Sequence, residues 1–303
     1  MYILAQQLIN GIILGSIYGL IAIGYTMVYG IIGMINFAHG EVYMISAYLF
    51  AIFLALASIF GITSLPVALL ITLVLTLIIT GMYGFVVERI AYRPLRGSSR
   101  LAPLISAIGM SLVLQNYVQI AQGAKDQALP PLYSGVIRVG PPDNFMQITH
   151  IQLMIIMVTV VSMVALHLLI NHTALGRACR ATQQDRTMAN LLGINTDRTI
   201  SLTFVIGASM AAVAGMLITF NFGSFNYFIG FVAGIKAFTA AVLGGIGSIP
   251  GAMLGGIILG MSESLFAGFV NTDYKDVFTF SLLVAVLIFK PTGILGQPEV
   301  EKI

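Results

Sequence analysis

Four ionisable side chains stand inside otherwise apolar sequence: His39 and Glu41 in "NFAHGEVYM", Lys236 in "GIKAFTAAV" and Glu263 in "GMSESLFAGF". An imidazole, two carboxylates and an ammonium in such surroundings suit three kinds of chemistry. They line the path of a polar solute, they relay protons, or they satisfy backbone where a helix is interrupted. Lipid exposure of such a group costs about 2.5–3.5 kcal/mol on insertion scales, so each should face a bundle interior or a watery path. Gly40 admits backbone angles that other residues avoid. Asn36 can cap broken backbone, and Glu41 falls in the first turn of the helix that follows, where a carboxylate complements the positive helix end. "NFAHGE" therefore reads as a managed helix break. Irregular backbone at membrane depth occurs only where protein or a cavity surrounds it, so the same stretch is a candidate lining of the path. A second break lies in "GIKAFTAAVLGGIGSIPGAMLGG", which carries Lys236 and the turn glycines Gly244 and Gly245. Lys236 has two candidate partners, Glu41 and Glu263, and no spacing selects one.

Other chemistry is excluded by what the residues lack. The glycine-rich run has no Gly-Lys-Ser/Thr ending and no preceding strand, so it is not a phosphate loop, and ATP hydrolysis by this chain alone is not expected. No nucleophile–base or metal-ligand spacing stands out, which predicts no catalytic residue, no metal site and no cofactor bound by the chain. The single cysteine, Cys179, reads as a small residue in a helix. A formal charge of +3 gives no nucleic-acid signal and reflects loop orientation.

The elements that must hold these residues are membrane spans. The 303 residues are 58% hydrophobic and 8% charged, against about a quarter charged in a soluble domain. Clear apolar spans run near 3–24, 41–60, 65–88, 102–121, 151–170, 200–221, 252–270 and 277–290. Two shorter pieces, near 25–36 and 229–243, fall below the comfortable lower limit of about 17 residues and read as re-entrant or broken helices. The N-terminus lacks a basic region and a cleavage site, so the first apolar segment is kept as a span. Arg89, Arg93, Arg96 and Arg100 form one cluster, and Arg177, Arg180, Arg186 and Arg198 another, leaving only Arg138 elsewhere. Two spans separate the clusters, so both lie on one face, which the positive-inside rule makes cytoplasmic. The Pro- and Gly-rich stretch 123–150 is then a loop outside, and the N-terminus is expected inside. Gly11, Gly15 and Gly19, and again Gly207, Ala211 and Gly215, repeat at a spacing of four, as small residues do where helices approach closely. Each such span precedes a short piece and two further spans. The expectation is an all-α polytopic transmembrane bundle, one domain over 1–303, with broken or re-entrant helices and an internal repeat of two units in one orientation.

Between two spans, 171–199 is long, polar and helix-compatible. Arg177, Arg180, Asp185 and Arg186 supply charge, and Ala178, Ala181, Met188, Ala189, Leu191 and Leu192 supply small and apolar surface. A helix lying on the membrane would explain this, but docking into a groove on a soluble partner explains it better. Gly176 would permit a close approach, and Ala181 and Ala189 would face the groove.

Four stretches, "INFAHGEVYMISAY", "ALGRACRATQQDRTMANLLGIN", the run Gly234 to Gly256 and the closing "FKPTGILG", resemble the LivH-type permease subunits of bacterial ABC importers for branched-chain amino acids. The resemblance runs from about residue 5 to 297 in the right order. It implies a multi-pass permease of the bacterial inner membrane that moves leucine, isoleucine and valine inward. It also implies a second permease of LivM type, two cytoplasmic ABC ATPases that hold the ATP and magnesium, a periplasmic amino-acid-binding protein and surrounding lipid. The ATPase-coupling residues would be Gly176, Arg177, Arg180, Ala181, Asp185, Ala189 and Gly193. Asn36, His39, Gly40, Glu41, Lys236, Gly244, Gly245 and Glu263 would form the path or its helix breaks. Related permeases carry urea, short amides or other amino acids. An ion-coupled transporter using His39, Glu41, Lys236 and Glu263 as a relay is the reading from another class.

Overall fold

The computed structural model describes residues 2–99, 101–129, 135–141 and 145–296; Arg100 lies outside them. Eleven helices lead the chain through the bundle: α1 (Tyr2–Ile32), α2 (His39–Ile59), α3 (Leu65–Val87), α4 (Leu101–Gln122), α5 (His150–His172), α6 (Ala174–Gln184), α7 (Arg186–Leu191), α8 (Thr196–Phe222), α9 (Ile229–Gly244), α10 (Ile249–Phe269) and α11 (Lys275–Phe289). A π-helical turn (Glu88–Tyr92) and a 3-10 turn (Arg93–Leu95) extend α3. Short strands β1 (Gln127–Ala128) and β4 (Ser224–Phe225) pair antiparallel, as do β2 (Val136–Val139) and β3 (Met146–Thr149).

Among the described residues, seven helices are long and apolar enough to cross a membrane: α1 to α5, α8 and α10. The eighth expected span, 277–290, is the 15-residue α11, and the short piece at 229–243 is the 16-residue α9. The piece near 25–36 is not separate. Tyr25 to Ile32 continue α1 without interruption, because packing within the bundle outweighs the weak helix preference of Gly30, and the helix stops only where Gly33 turns the chain at a φ of +65°. At about 1.5 Å per residue, the 31 residues of α1 are more than long enough to cross.

The core sits around α1 and α8, whose middles are almost wholly buried, while α4 and α5 lie at the periphery. Backbone proximity explains the small residues. Gly11 and Gly15 of α1 lie against the Met261 and Ile257 backbone of α10 with no room for a Cβ, and Gly19 lies against the Met253 side chain. Gly84 of α3 meets Phe204 and Ala208 of α8 in the same way.

The described members of the two arginine clusters lie at one end of the bundle, where Arg93, Arg96 and Arg186 share Asp197. At the other end the amide N–H of Gln147, in the 123–149 segment, donates to Gln6 Oε1 at 2.8 Å. The start of α1 therefore lies opposite the arginine end, not beside it as expected. It follows that α1 runs towards the arginine end and α8 away from it. Helix contacts match under the exchange of α1 with α8, α2 with α9 and α3 with α10: α1 packs on α10 as α8 packs on α3, and α2 on α8 as α9 on α1. The internal repeat is thus inverted, with its axis across the bundle, rather than two units in one orientation. The glycine match between 11–19 and 207–215 is not its signature, since the first set faces α10 and Gly215 faces Ser46 and Tyr43 of α2.

Candidate functional site

Two turns inside the bundle carry the repeat. Gly33, Asn36, Phe37, Gly40 and Val42 reappear as Gly223, Asn226, Tyr227, Gly230 and Val232, each 190 positions later. Gly33 and Gly223 have φ of +65° and +64°, a left-handed conformation that suits glycine after a helix. Each donates its N–H back into the preceding helix, Gly33 to Tyr29 O at 2.7 Å and Gly223 to Thr219 O at 3.1 Å. Asn36 O then accepts the His39 N–H at 3.0 Å, and Asn226 O the Ile229 N–H at 3.2 Å. Helices α2 and α9 start from these turns and run towards opposite ends. They cross where they start: a Cβ on Gly40 would strike Gly230 O and the Gly234 backbone, and one on Gly230 would strike Gly40 O and the Glu41 carboxylate. Sequence reasoning missed the second turn, although the shared spacing of Gly, Asn and Gly was available to find it.

The first turn carries the polar groups. His39 is buried with its ring against the Gly24 backbone of α1, beside Gly207 of α8. Its Nε2 has no hydrogen-bond partner. Glu41 is 1% exposed; Oε1 accepts from Ser111 Oγ of α4 at 3.2 Å, and Oε2 is unpartnered. Asn36 Oδ1 accepts from the buried Tyr92 hydroxyl at 2.9 Å.

The second turn has Ile229 and Phe231 where the first has His39 and Glu41. Its helix instead carries Lys236, whose ammonium lies 2.7 Å from Glu263 of α10 and 2.6 Å from Asp276 of α11, with the Tyr18 ring 5.7 Å away. Glu263 is thus the partner that spacing did not select. Among the described residues, no hydrogen bond or ion pair joins His39 or Glu41 to Lys236 or Glu263. Gly244 packs on Gly251 in the turn from α9 to α10, and Gly245 (φ +104°) packs on Gly296. The chain after α11 closes this turn: Ile294 and Leu295 donate their N–H groups to Leu243 O and Gly244 O, each at 2.9 Å.

At the arginine end, α6 and α7 form the polar segment. Thr173 caps α6, accepting from Gly176 N, and Asp185 caps α7, accepting from the N–H groups of Thr187 and Met188. Gly176 is jammed against the Ile170 backbone, and the Arg180 guanidinium donates to Ile170 O. Ala189 does not face outward as expected: it is 2% exposed, and Ala181 is half-buried. The orientation of α7 follows from its ends, since Asn190 Oδ1 accepts from Thr196 Oγ1 at 2.9 Å and ties it to α8. The outward apolar surface is Met188, Leu191 and Leu192, the last two more than three-quarters exposed. Arg177, Asp185 and Gly193 are exposed beside it. Cys179 is buried near Thr203, and burial pushes its thiol pKa up. A cavity of about 300 Å³ separates α6 from α1, α5 and the α9–α10 turn, lined by Thr26, Gly30, His167, Arg180 and Gln183.

A family model described as "Branched-chain amino acid transport system / permease component" matches residues 7–287. The chain is 57% identical to the high-affinity branched-chain amino acid transport system permease protein LivH of Salmonella typhimurium, over 98% of this chain and 97% of that one. It is 56% identical to the corresponding protein BraD of Pseudomonas aeruginosa, with the same coverage. It is 28% identical to the Escherichia coli permease protein LivM, over 93% of this chain and 68% of that one. No solved structure matches the chain.

Proposed function

Because the chain belongs to the family of branched-chain amino acid transport permeases, we propose that it is half of the membrane path of an ABC importer, carrying leucine, isoleucine and valine into the cytoplasm. The observation that carries this reading is identity above one half along almost the whole chain to two permease proteins of that transport system. It is a multi-pass protein of the cytoplasmic membrane and a transport subunit rather than an enzyme. The similarity to LivM supports a second, homologous permease as its partner. Two ATPases and a periplasmic binding protein complete the assembly.

In this reading ATP binding and hydrolysis act on the chain through 171–199. Met188, Leu191 and Leu192 supply the apolar surface for an ATPase groove, and Arg177 and Asp185 supply charge that orients the partner more than it adds affinity. Ala189 and Gly176 serve from inside by setting how closely α6 and α7 sit on the bundle. The two re-entrant turns, with Asn36, His39, Gly40 and Glu41 in the first, form the part of each repeat that shapes the path. Lys236, Glu263 and Asp276 hold α9, α10 and α11 together behind it.

Vesicles carrying all subunits, with ATP inside and binding protein and labelled leucine outside, test this directly. Uptake should require the ATPases and survive collapse of the proton gradient. Accumulation of leucine by this chain alone, driven by a proton gradient, would establish the ion-coupled reading instead. In the same vesicles Leu191→Asp should lower recovery of the ATPases with the permease, since a charge in a desolvated groove has no partner. Full recovery would return 171–199 to the membrane-surface reading.

A further inference from the structure

The first re-entrant turn is wired to the arginine end, and the second is not. Asp197, in the first turn of α8, receives three guanidinium groups: Arg186 of α7 at 3.0 Å, Arg96 at 2.6 Å and Arg93 at 3.3 Å. Arg96 also pairs with Glu88, whose side chain is fully buried. Glu88 Oε2 in turn accepts from Ser201 Oγ of α8 at 2.6 Å, so α3 and α8 are fastened at this point. Glu88 opens the π-helical turn that ends at Tyr92, and such turns are rare and frequent at functional sites. The Tyr92 ring packs on Phe204, and its hydroxyl donates to Asn36. Asn36 then holds the start of α2 through its carbonyl. In the second turn, Asn226 bonds instead to Asp126 at 3.0 Å, at the exposed end opposite the arginines.

We infer that Arg186, Asp197, Arg96, Glu88, Tyr92 and Asn36 are one line of positioning residues that ties the cytoplasmic segment to the first re-entrant turn, so that α2 rather than α9 answers to ATP. This rests on the reading of 171–199 as the ATPase contact. The line has a firm part and a weak part. Arg96 and Glu88 are buried charges, and removing either partner strands the other, so they move as one body. Asp197 is 43% exposed and holds Arg186 at its rim, where displacement of α7 can loosen or tighten it. The last link is one hydroxyl, which donates to Asn36 Oδ1 at 2.9 Å with Ile35 O 3.4 Å away, and removing it cuts the line without disturbing packing or charge. Spatial continuity alone does not establish coupling; a double-mutant measurement does.

The test is the number of ATP molecules hydrolysed per leucine imported by the complete assembly in vesicles. Tyr92→Phe keeps the ring on Phe204 and removes one hydroxyl; Asn36→Ala removes the nearer acceptor and leaves Ile35 O. Tyr92→Phe should leave assembly and the melting midpoint near wild type, Asn36→Ala should assemble but melt lower because it takes the near acceptor from a buried hydroxyl, and each should raise the ratio about threefold or more. The pair together should raise it no further than Tyr92→Phe alone, because the link needs the hydroxyl that this variant already removes. Arg186→Gln should raise the ratio as well, while Arg198→Gln, exposed and outside the line, should not. An unchanged ratio in Tyr92→Phe overturns the inference, and so does an additive effect of the pair. Absence of leucine uptake by the wild-type assembly would overturn the parent reading and this inference with it.

Discussion

The turns at 33–40 and 223–230 share a backbone and almost no chemistry. Both leave a long helix through a left-handed glycine, both use an asparagine carbonyl to start the next helix, and both reach a glycine at the crossing. Yet the first holds a buried imidazole and carboxylate, while the second offers Ile229 and Phe231. Its charged counterpart, Lys236, sits nearly two helical turns further on and is neutralised by Glu263 and Asp276. The difference teaches that the repeat is a device for crossing two interrupted helices, and that polarity was placed on it twice in unlike ways. In α9 the charges hold three helices together. In α2 the polar atoms are left with spare capacity, at Nε2 of His39 and Oε2 of Glu41.

The largest expected effect comes from breaking what the turns share. Gly40→Val and Gly230→Val each force side-chain atoms into the opposing backbone. Overpacking typically costs about 1–3 kcal/mol and more where backbone must move. Both variants should lose most monodisperse protein after extraction and melt well below wild type. If one is tolerated and the other is not, the crossing is not symmetric.

The next effect separates the two kinds of polarity. Lys236→Met leaves Glu263 facing a methyl group, and stranding a buried charge costs about 3–5 kcal/mol. Glu41→Gln keeps the bond with Ser111 and leaves no stranded cation, so its cost should stay below about 1 kcal/mol, within the range of an ordinary hydrogen bond. Glu41→Lys should be severe, since it sets a cation at a positive helix end. Melting of the purified complex reads all three. Equal losses for Lys236→Met and Glu41→Gln would erase the contrast.

The smallest effect is on stability, and it concerns orientation alone. In a Cys179→Ser background, Met34→Cys should react with an impermeant thiol reagent only from the cytoplasmic side, and Ser224→Cys only from the other. Even unmutated, Cys179 should label slowly near neutral pH. Its thiol pKa is raised, so the reactive thiolate is scarce below that pKa and grows as pH rises. Labelling of both positions from one side would break the inverted relation between the turns.

Much of the fold is legible in the sequence because a bilayer demands long apolar runs, and the arginine clusters fix which end is which. The ends of elements are less so. The polar residues at Asn36 to Glu41 mark a break, but the helix before it ends only at Gly33, since the lone Gly30 between Tyr25 and Ile32 is too weak a breaker to stop it. Pairing across helices is illegible from spacing, which is why Glu41 and Glu263 looked equal as partners for Lys236. The direction of Ala189 depends on the Asp185 cap and the Asn190–Thr196 bond, neither of which a helical pattern of six residues encodes. Glycines at a spacing of four pointed to a repeat for the wrong reason, because close packing uses that spacing wherever helices meet. The Gly-Asn-Gly spacing shared by 33–40 and 223–230 carries it instead, and the hand of the repeat follows from how many times the chain crosses between them.

The closure of the α9–α10 turn by Ile294 and Leu295 has a consequence for synthesis. These residues follow α11 in chain order, so they emerge from the ribosome after every helix of the bundle. The 16-residue α9, too short to anchor itself, therefore waits for its brace until α11 has been made. A chain truncated after Pro291 would carry every span and still lack the clasp, and a purification tag fused upstream of Gly296 would displace it. The α9–α10 turn is thus a joint closed by residues some fifty positions further along the chain, and a chain stopped before them leaves it open at one short helix.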